Sequence, residues 1–199
     1  MPKAFTEQEK ETIRAQMREK GKALFERHGL KKTSVDELTE AVGISKGAFY
    51  LFYESKEELF LEILEQFEQE IQTAILEFTI HPKADGRKNV GTMLKRFLLT
   101  WDDYPLLKHF SKTEFDYLVR KIPAERIMKH AQSDEEFTDQ LIRKIKKEGI
   151  PVKVSPRVIG NLIKSLFFIS LHREDLGEPA YEETMSLLID LSARHIVGE

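Results

Sequence analysis

The stretch SVDELTEAVGISKGAFYLFYESKEEL, residues Ser34–Leu59, decides the fold. Ser34 and Glu37 stand three apart, the spacing at which a hydroxyl caps an early backbone N–H while the carboxylate reaches back. Val35, Leu38 and Val42 then share one face of a short helix over Ser34–Ala41. Gly43 predicts a tight turn, and Ser45 opens a second short helix running to about Phe52. Helix, glycine turn and second helix make a helix-turn-helix, whose second helix enters the DNA major groove. That plan needs small residues where the helices cross, supplied by Ala41 and Gly43, and an apolar turn residue, supplied by Ile44. At Ser45 the unpaired N–H groups and the positive helix end favour anionic oxygen. Lys46 adds a charge there, and Gly47, without a Cβ, lets a backbone come close.

Working outward, no proline falls between Thr6 and His81, so this span is free to be helical, with glycines as its breaks. Thr6/Glu9, Ser55/Glu58 and Ser133/Glu136 repeat the capping-box spacing. The first predicted helix covers Thr6–His28, with Ile13, Met17, Leu24 and Phe25 facing inward and Gly29 just past its end. The fourth starts at Ser55 and carries Leu59, Ile63, Phe67, Ile71, Ala74, Ile75 and Phe78 on one face, ending before Pro82. Its first turn belongs to the helix-turn-helix bundle and its later turns to the helices that follow. After a Lys83–Asn89 loop, helices are expected over Val90–Trp101, Asp103–Phe110 and Thr113–Lys121. Ala124–Ala131 and Asp134–Lys147 follow, as two helices or one bent one, then Arg157–Glu174 and Ala180–Val197. The expected class is all-α, with about nine or ten helices. No strand alternation, internal repeat or low-complexity tract interrupts it.

Composition narrows the function. The 199 residues include no cysteine, which excludes a disulfide framework, a thiol nucleophile and cysteine-ligated metals. The net charge of −3 excludes a basic nucleic-acid wrap, so any DNA contact is local. Over residues 31–56, Lys31, Lys32, Lys46 and Lys56 are balanced by Asp36, Glu37, Glu40 and Glu54, so affinity has to come from a clustered face and from dimerisation. The opening MPKAFTEQEKETIR has no apolar core, so no signal peptide is expected, and no apolar run is long enough to span a membrane. A cytoplasmic protein is expected. No paired-carboxylate signature, nucleophile motif or phosphate loop points to an enzyme. His109, His130 and His172 stand at no recognised metal spacing, so no metal or cofactor is expected.

The run ALFERHGLKKTSVDELTEAVGISKGAFYLFYESKEELF, residues 23–60, resembles the tetracycline-repressor (TetR) family of bacterial transcriptional regulators. The family pattern is Phe and Gly closing a helix, a Thr-Ser pair, an Ile/Val-x-x-Ile/Leu-Ala helix, Gly-Val-Ser, Lys-Gly-Thr-aromatic-Tyr, a Tyr/His-Phe pair and Lys-x-x-Leu. The match is strong over Leu24–Phe60 and loose over Thr6–Leu64. Two departures stand out: Ala48 replaces the usual Thr, and Phe52-Tyr53 inverts the usual pair. The resemblance implies a DNA-binding domain over 1–54 and a helical ligand-binding and dimerisation domain over 55–199. It implies DNA contacts at Ser34, Ser45, Lys46, Gly47, Tyr50 and Lys56, with Tyr53 presenting its hydroxyl in place of Phe52. Plainer readings stand beside these: Ser34 as an N-cap alone, Lys46 as a solvated lysine, Tyr50 as core, Lys56 as a partner of nearby glutamates.

The resemblance further implies a homodimeric regulator that binds palindromic operator DNA, a repressor released by a small-molecule inducer. Arg157–Glu174 is apolar around more than one face, so it needs a second surface: a partner subunit or complete internal burial. Leu162, Leu166 and Phe167, with Leu187, Leu188 and Leu191 of the last helix, are the candidate dimer contacts. Phe97, Trp101, Tyr104, His109, Phe110 and Phe115 crowd the middle of the chain, as an inducer pocket or as ordinary core. The competing function is a helical dimeric interaction or ligand-binding module with weakened or lost DNA binding, for which Ala48 and Phe52 speak.

Overall fold

The computed structural model describes residues 5–80, 85–102 and 104–199, without the side chains of 101, 102, 108 and 109. Among these described residues ten α-helices follow one another: α1 Glu7–Lys32, α2 Val35–Val42, α3 Lys46–Phe49, α4 Lys56–Glu77, α5 Gly86–Asp102, α6 Lys112–Lys121, α7 Ala124–Lys147, α8 Pro156–Ser170, α9 Arg173–Leu176 and α10 Glu178–Val197. A 3₁₀ turn, Pro105–His109, precedes α6. No strand occurs among the described residues. Nor is any described helix long and apolar enough to cross a membrane.

Local chemistry explains the boundaries. The Thr6 N–H donates to Glu9 Oε2 at 2.7 Å and the Glu9 N–H to Thr6 Oγ1 at 3.2 Å, completing the first capping box. Gly29 interrupts the helical backbone of α1 at the expected position. It takes φ 75°, where only glycine is unstrained, and the chain resumes one more turn to Lys32. Thr33 Oγ1 then closes that turn on the Gly29 carbonyl at 2.9 Å. At Ser55 the box is shifted: Ser55 Oγ accepts from the Glu58 N–H at 3.2 Å, but Glu58 reaches back to the Glu54 N–H at 2.9 Å. Ser133/Glu136 is no helix start, because α7 runs unbroken from Ala124 through both residues. Spacing alone cannot distinguish a cap from two polar residues on an exposed helix face.

The chain divides into two compact units, Met1–Phe67 with Pro105–Ile122, and Glu68–Tyr104 with Pro123–Glu199. In the first, Met17, Phe25, Leu30, Leu38, Phe49, Leu59 and Phe60 are almost wholly buried. Gly21 lets α1 come close to α2 and α4, while Ala41, expected where α2 and α3 cross, does not face the core. A Cβ on Gly21 would stand 3.1 Å from Leu59 Cδ2 and 3.4 Å from Leu38 Cδ2, whereas Ala41 is exposed. Phe60 stacks on Phe25 edge-on at 5.1 Å and on Phe110 at 5.4 Å, which draws the Pro105–Ile122 segment into this core. There the Tyr117 hydroxyl donates to buried Glu57 at 2.6 Å, and that hydrogen bond, reinforced by burial, pushes the phenol up to about 12.

The second unit packs α5 on α10, α7 on α8, and α5 and α10 on α8. Arg87 of α5 donates through Nε and Nη2 to Asp190 of α10 at 3.0 and 2.6 Å, and this hydrogen bonding holds the Asp190 carboxyl below its usual range. α4 is common to both units. It gives Leu59, Phe60 and Ile63 to the first core and Ile71 and Ile75 to the second.

Candidate nucleic-acid interface

The turn between α2 and α3 is built by Gly43, whose left-handed backbone (φ 78°, ψ 33°) lets its N–H cap the carbonyls of Glu40 and Thr39. The Ile44 N–H adds a bond to the Thr39 carbonyl at 3.0 Å, with Ile44 half-buried in the turn. Ser45 Oγ caps α3 by accepting from the Ala48 N–H at 3.1 Å. α3 itself is shorter than expected, ending at Phe49, and turns at Leu51 and Phe52 carry the chain to Tyr53. Phe49 anchors the segment: it is wholly buried, 5.5 Å from the Tyr50 ring and 5.8 Å from Tyr53.

The anchored turn presents a coherent outer face. Ser45, Lys46 and Gly47 are exposed, and so are Tyr50 (52%) and Leu51 (72%). A Cβ on Gly47 would meet only Ser45 Oγ at 3.9 Å, so nothing inside the fold demands glycine there. Lys46 Nζ lies 3.0 Å from the Asp36 carboxylate, whose hydrogen bond and charge raise the ammonium's pKa. Both partners are largely exposed, so the pair can open to another anion at little cost. Ser34 spends its hydroxyl in the α2 capping box, donating to Glu37 Oε2 at 2.7 Å and accepting from the Glu37 N–H at 3.2 Å. That box holds the Glu37 carboxyl below its ordinary range.

Two expected members do not belong to this face. Tyr53 is 5% exposed, and its hydroxyl makes no hydrogen bond among the described residues, with Glu62 the charged group that acts on it. Burial, with the charge of Glu62 adding to it, keeps the phenol un-ionised. The inverted Phe52-Tyr53 pair therefore preserves the inward position of its second aromatic instead of offering a hydroxyl to solvent. Lys56 donates to the carbonyls of Leu30, Lys31 and Thr33 at 2.7, 3.0 and 2.6 Å. Its three protons close the end of α1, whose last carbonyls lack helical partners. Burial draws the pKa of this ammonium down.

Two cations went unnoticed in the sequence. A cleft of about 860 Å³ between the start of α1 and α3 is lined by Glu7, Lys10, Glu11 and Arg14 on one side and by Ser45, Gly47, Leu51 and Phe52 on the other. The signal for Lys10 and Arg14 was their four-residue spacing on one face of α1. That they stand beside Ser45 follows from packing alone.

The other candidate groups separate. Phe110 and Phe115 stack at 6.3 Å within the first unit, while half-buried Phe97 and buried Tyr104 belong to the second. The side chains of Trp101 and His109 lie outside the described residues. Of the expected dimer contacts, Leu166 is 2% exposed and serves the subunit's own core. Leu162, Phe167 and Leu188 are half-buried, whereas Leu187 and Leu191 are exposed, as are Val158 and Phe168.

Residues 18–63 match the family described as bacterial regulatory proteins, tetR family. The HTH-type transcriptional regulator YuxN of Bacillus subtilis is 35% identical over 78 residues, which are 38% of this chain and 27% of YuxN. AcrR of Shigella flexneri is 34% identical over 73 residues, 37% of this chain and 34% of AcrR. The matched part thus spans about a third or less of these relatives. Across nearly the whole chain the fold agrees with solved structures. A TetR-family transcriptional regulator of Pectobacterium atrosepticum superposes with a TM-score of 0.72 at 19% identity, covering 98% of this chain and 99% of its own. RolR, solved with resorcinol, gives 0.65 at 13% identity over 98% and 97%. The segment that holds α2 and α3 thus matches the tetR family of bacterial regulatory proteins, and nearly the whole chain shares the fold of the TetR-family structures.

Proposed function

We propose that this protein is a homodimeric transcriptional regulator that binds operator DNA through α3 and its flanking turns and is released from it by a small molecule. The observation that carries the reading is the outer face of the turn. Ser45, Lys46, Gly47, Tyr50 and Leu51 are exposed together on a segment held rigidly by Phe49. Lys46 is held by an exchangeable partner, Gly47 offers backbone without a side chain, and Leu51 offers an apolar surface of the kind that meets a thymine methyl. Lys10 and Arg14 line the adjoining cleft beside Glu7 and Glu11, with Lys10 paired to Glu7 at 2.7 Å, so DNA would have to draw Lys10 from that exposed pair.

Dimerisation rests on the apolar residues that α8 and α10 leave exposed: Val158, Phe168, Leu187 and Leu191. A two-fold axis through such a surface is self-complementary and pairs two recognition helices for half-sites ~34–36 Å apart. Response to a small molecule draws on RolR, a protein of the same fold solved with resorcinol. α4 is the element by which a change in the helical domain over 55–199 reaches the DNA-binding domain over 1–54, because one helix serves both cores.

The test is binding of the full chain to DNA from upstream of its own gene across a salt series. Steep salt dependence with a preference over unrelated DNA supports the reading, because each neutralised phosphate releases counterions. Absence of binding at low salt overturns it in favour of a module without DNA recognition.

A further inference from the structure

The geometry points to a divalent-metal site in the second unit, formed by Glu68, His130 and Asp134, that takes a first-row transition-metal ion such as Zn²⁺. His130 and Asp134 stand four apart on α7, so both project from one face of one helix, and Glu68 comes from α4. One donor atom from each, an imidazole nitrogen and two carboxylate oxygens, lies within 4.8 Å of the others. His130 Nε2 and Glu68 Oε2 are 3.6 Å apart. Metal–ligand bonds of ~2.0–2.2 Å set neighbouring tetrahedral donors ~3.4 Å apart, so this pair is near the required spacing and Asp134 needs only side-chain rotation.

The surroundings suit a cation. The three side chains are 27%, 17% and 35% exposed for His130, Glu68 and Asp134, so water competes weakly for them. Two carboxylates with a neutral imidazole balance a doubly charged ion. The mixed nitrogen and oxygen set favours zinc, manganese or iron over magnesium and calcium, which prefer oxygen alone. A positive charge already stands at the edge: Lys164 Nζ of α8 is 4.0 Å from Asp134 Oδ2. Lys164 is 46% exposed, so its stem can swing to solvent when an ion arrives. Three protein ligands leave at least one coordination position for water or an anionic ligand. His130 and Asp134 four apart are no metal motif by themselves, and Glu68 joins them only because the fold brings its carboxylate to 3.6 Å from the His130 ring.

The test uses the full chain stripped with chelator and titrated with Zn²⁺ by calorimetry, with Co²⁺ absorption as a spectroscopic measure of tetrahedral coordination. One ion per chain is expected. His130→Gln and Asp134→Asn should each weaken binding by about tenfold or more. Lys164→Met should tighten it several-fold by removing the competing cation. His172→Gln, at an exposed histidine 2.8 Å from Asp175, should leave it unchanged. No stoichiometric binding by about 100 µM Zn²⁺ overturns the assignment. So does wild-type affinity in His130→Gln, or loss of binding in His172→Gln. Lys164→Met changes an exposed side chain and keeps the fold, so unchanged affinity in that variant also overturns it. None of these outcomes depends on DNA binding.

Discussion

Lys56 separates a phosphate contact from a structural clamp, and Lys56→Met distinguishes them. The methionine keeps most of the aliphatic stem but removes three N–H donors from the carbonyls of Leu30, Lys31 and Thr33. Two of those bonds are part-buried and one is exposed, so water replaces the bond to Lys31 while those to Leu30 and Thr33 are lost with less compensation. Charge-assisted bonds are worth about 1.5–3 kcal/mol each at most, and the partial exposure puts the combined loss at about 2–3 kcal/mol. In a chain of this size that lowers the thermal midpoint by about 4–12 °C. Circular dichroism on heating reads this arm of the experiment. The other arm is the slope of log affinity against log salt on operator DNA, which stays unchanged, because Lys56 neutralises no phosphate. An unchanged midpoint with the slope reduced by about one unit would refute the clamp and restore Lys56 to the DNA face.

The remaining predictions follow from the same contacts. Asp36→Asn releases Lys46 and removes a negative charge from the reading face, so DNA affinity should rise; a fall in filter-binding or anisotropy titrations would place Asp36 among the DNA contacts. Tyr53→Phe removes a buried hydroxyl without a partner and should stabilise the protein by about 1–2 kcal/mol in urea denaturation, whereas destabilisation would mean that the hydroxyl bonds Glu62. Leu187→Glu, at an exposed position of α10, should yield a folded monomer by sedimentation with operator binding lost; a dimer at micromolar concentration would move the interface elsewhere. Glu37→Gln tests the α2 cap through pH. The folded carboxyl titrates below its unfolded value, so its contribution is full above the unfolded pKa and vanishes as pH falls through the folded one. Wild type should therefore exceed Glu37→Gln in stability at pH 7, and the difference should close below about pH 4; a difference that persists in acid would assign the effect to shape instead of charge.

Short-range chemistry was legible in the residues. Thr6/Glu9 and Ser34/Glu37 started helices because a hydroxyl and a carboxylate three residues apart satisfy N–H groups that no distant element can reach. Gly43 made its turn for an equally local reason, a positive φ. The motif from Leu24 to Phe60 was legible because its caps and turns lie within a few residues of one another, and residues 18–63 match the tetR family. Tertiary structure decided whatever depends on partners distant in the chain. It put Gly21 where α1 meets α2 and α4, since only packing reveals that Leu38 and Leu59 converge on it. It turned Lys56 inward on carbonyls left open when α1 kinks at Gly29, and it buried Tyr53 behind Phe49. It drew Phe110 and Phe115 into the first unit through Phe60, dividing an aromatic cluster that looks continuous in sequence. Periodicity gives the face a residue occupies on its own helix, but which helix covers that face is set by side-chain volumes and loop lengths across the whole chain.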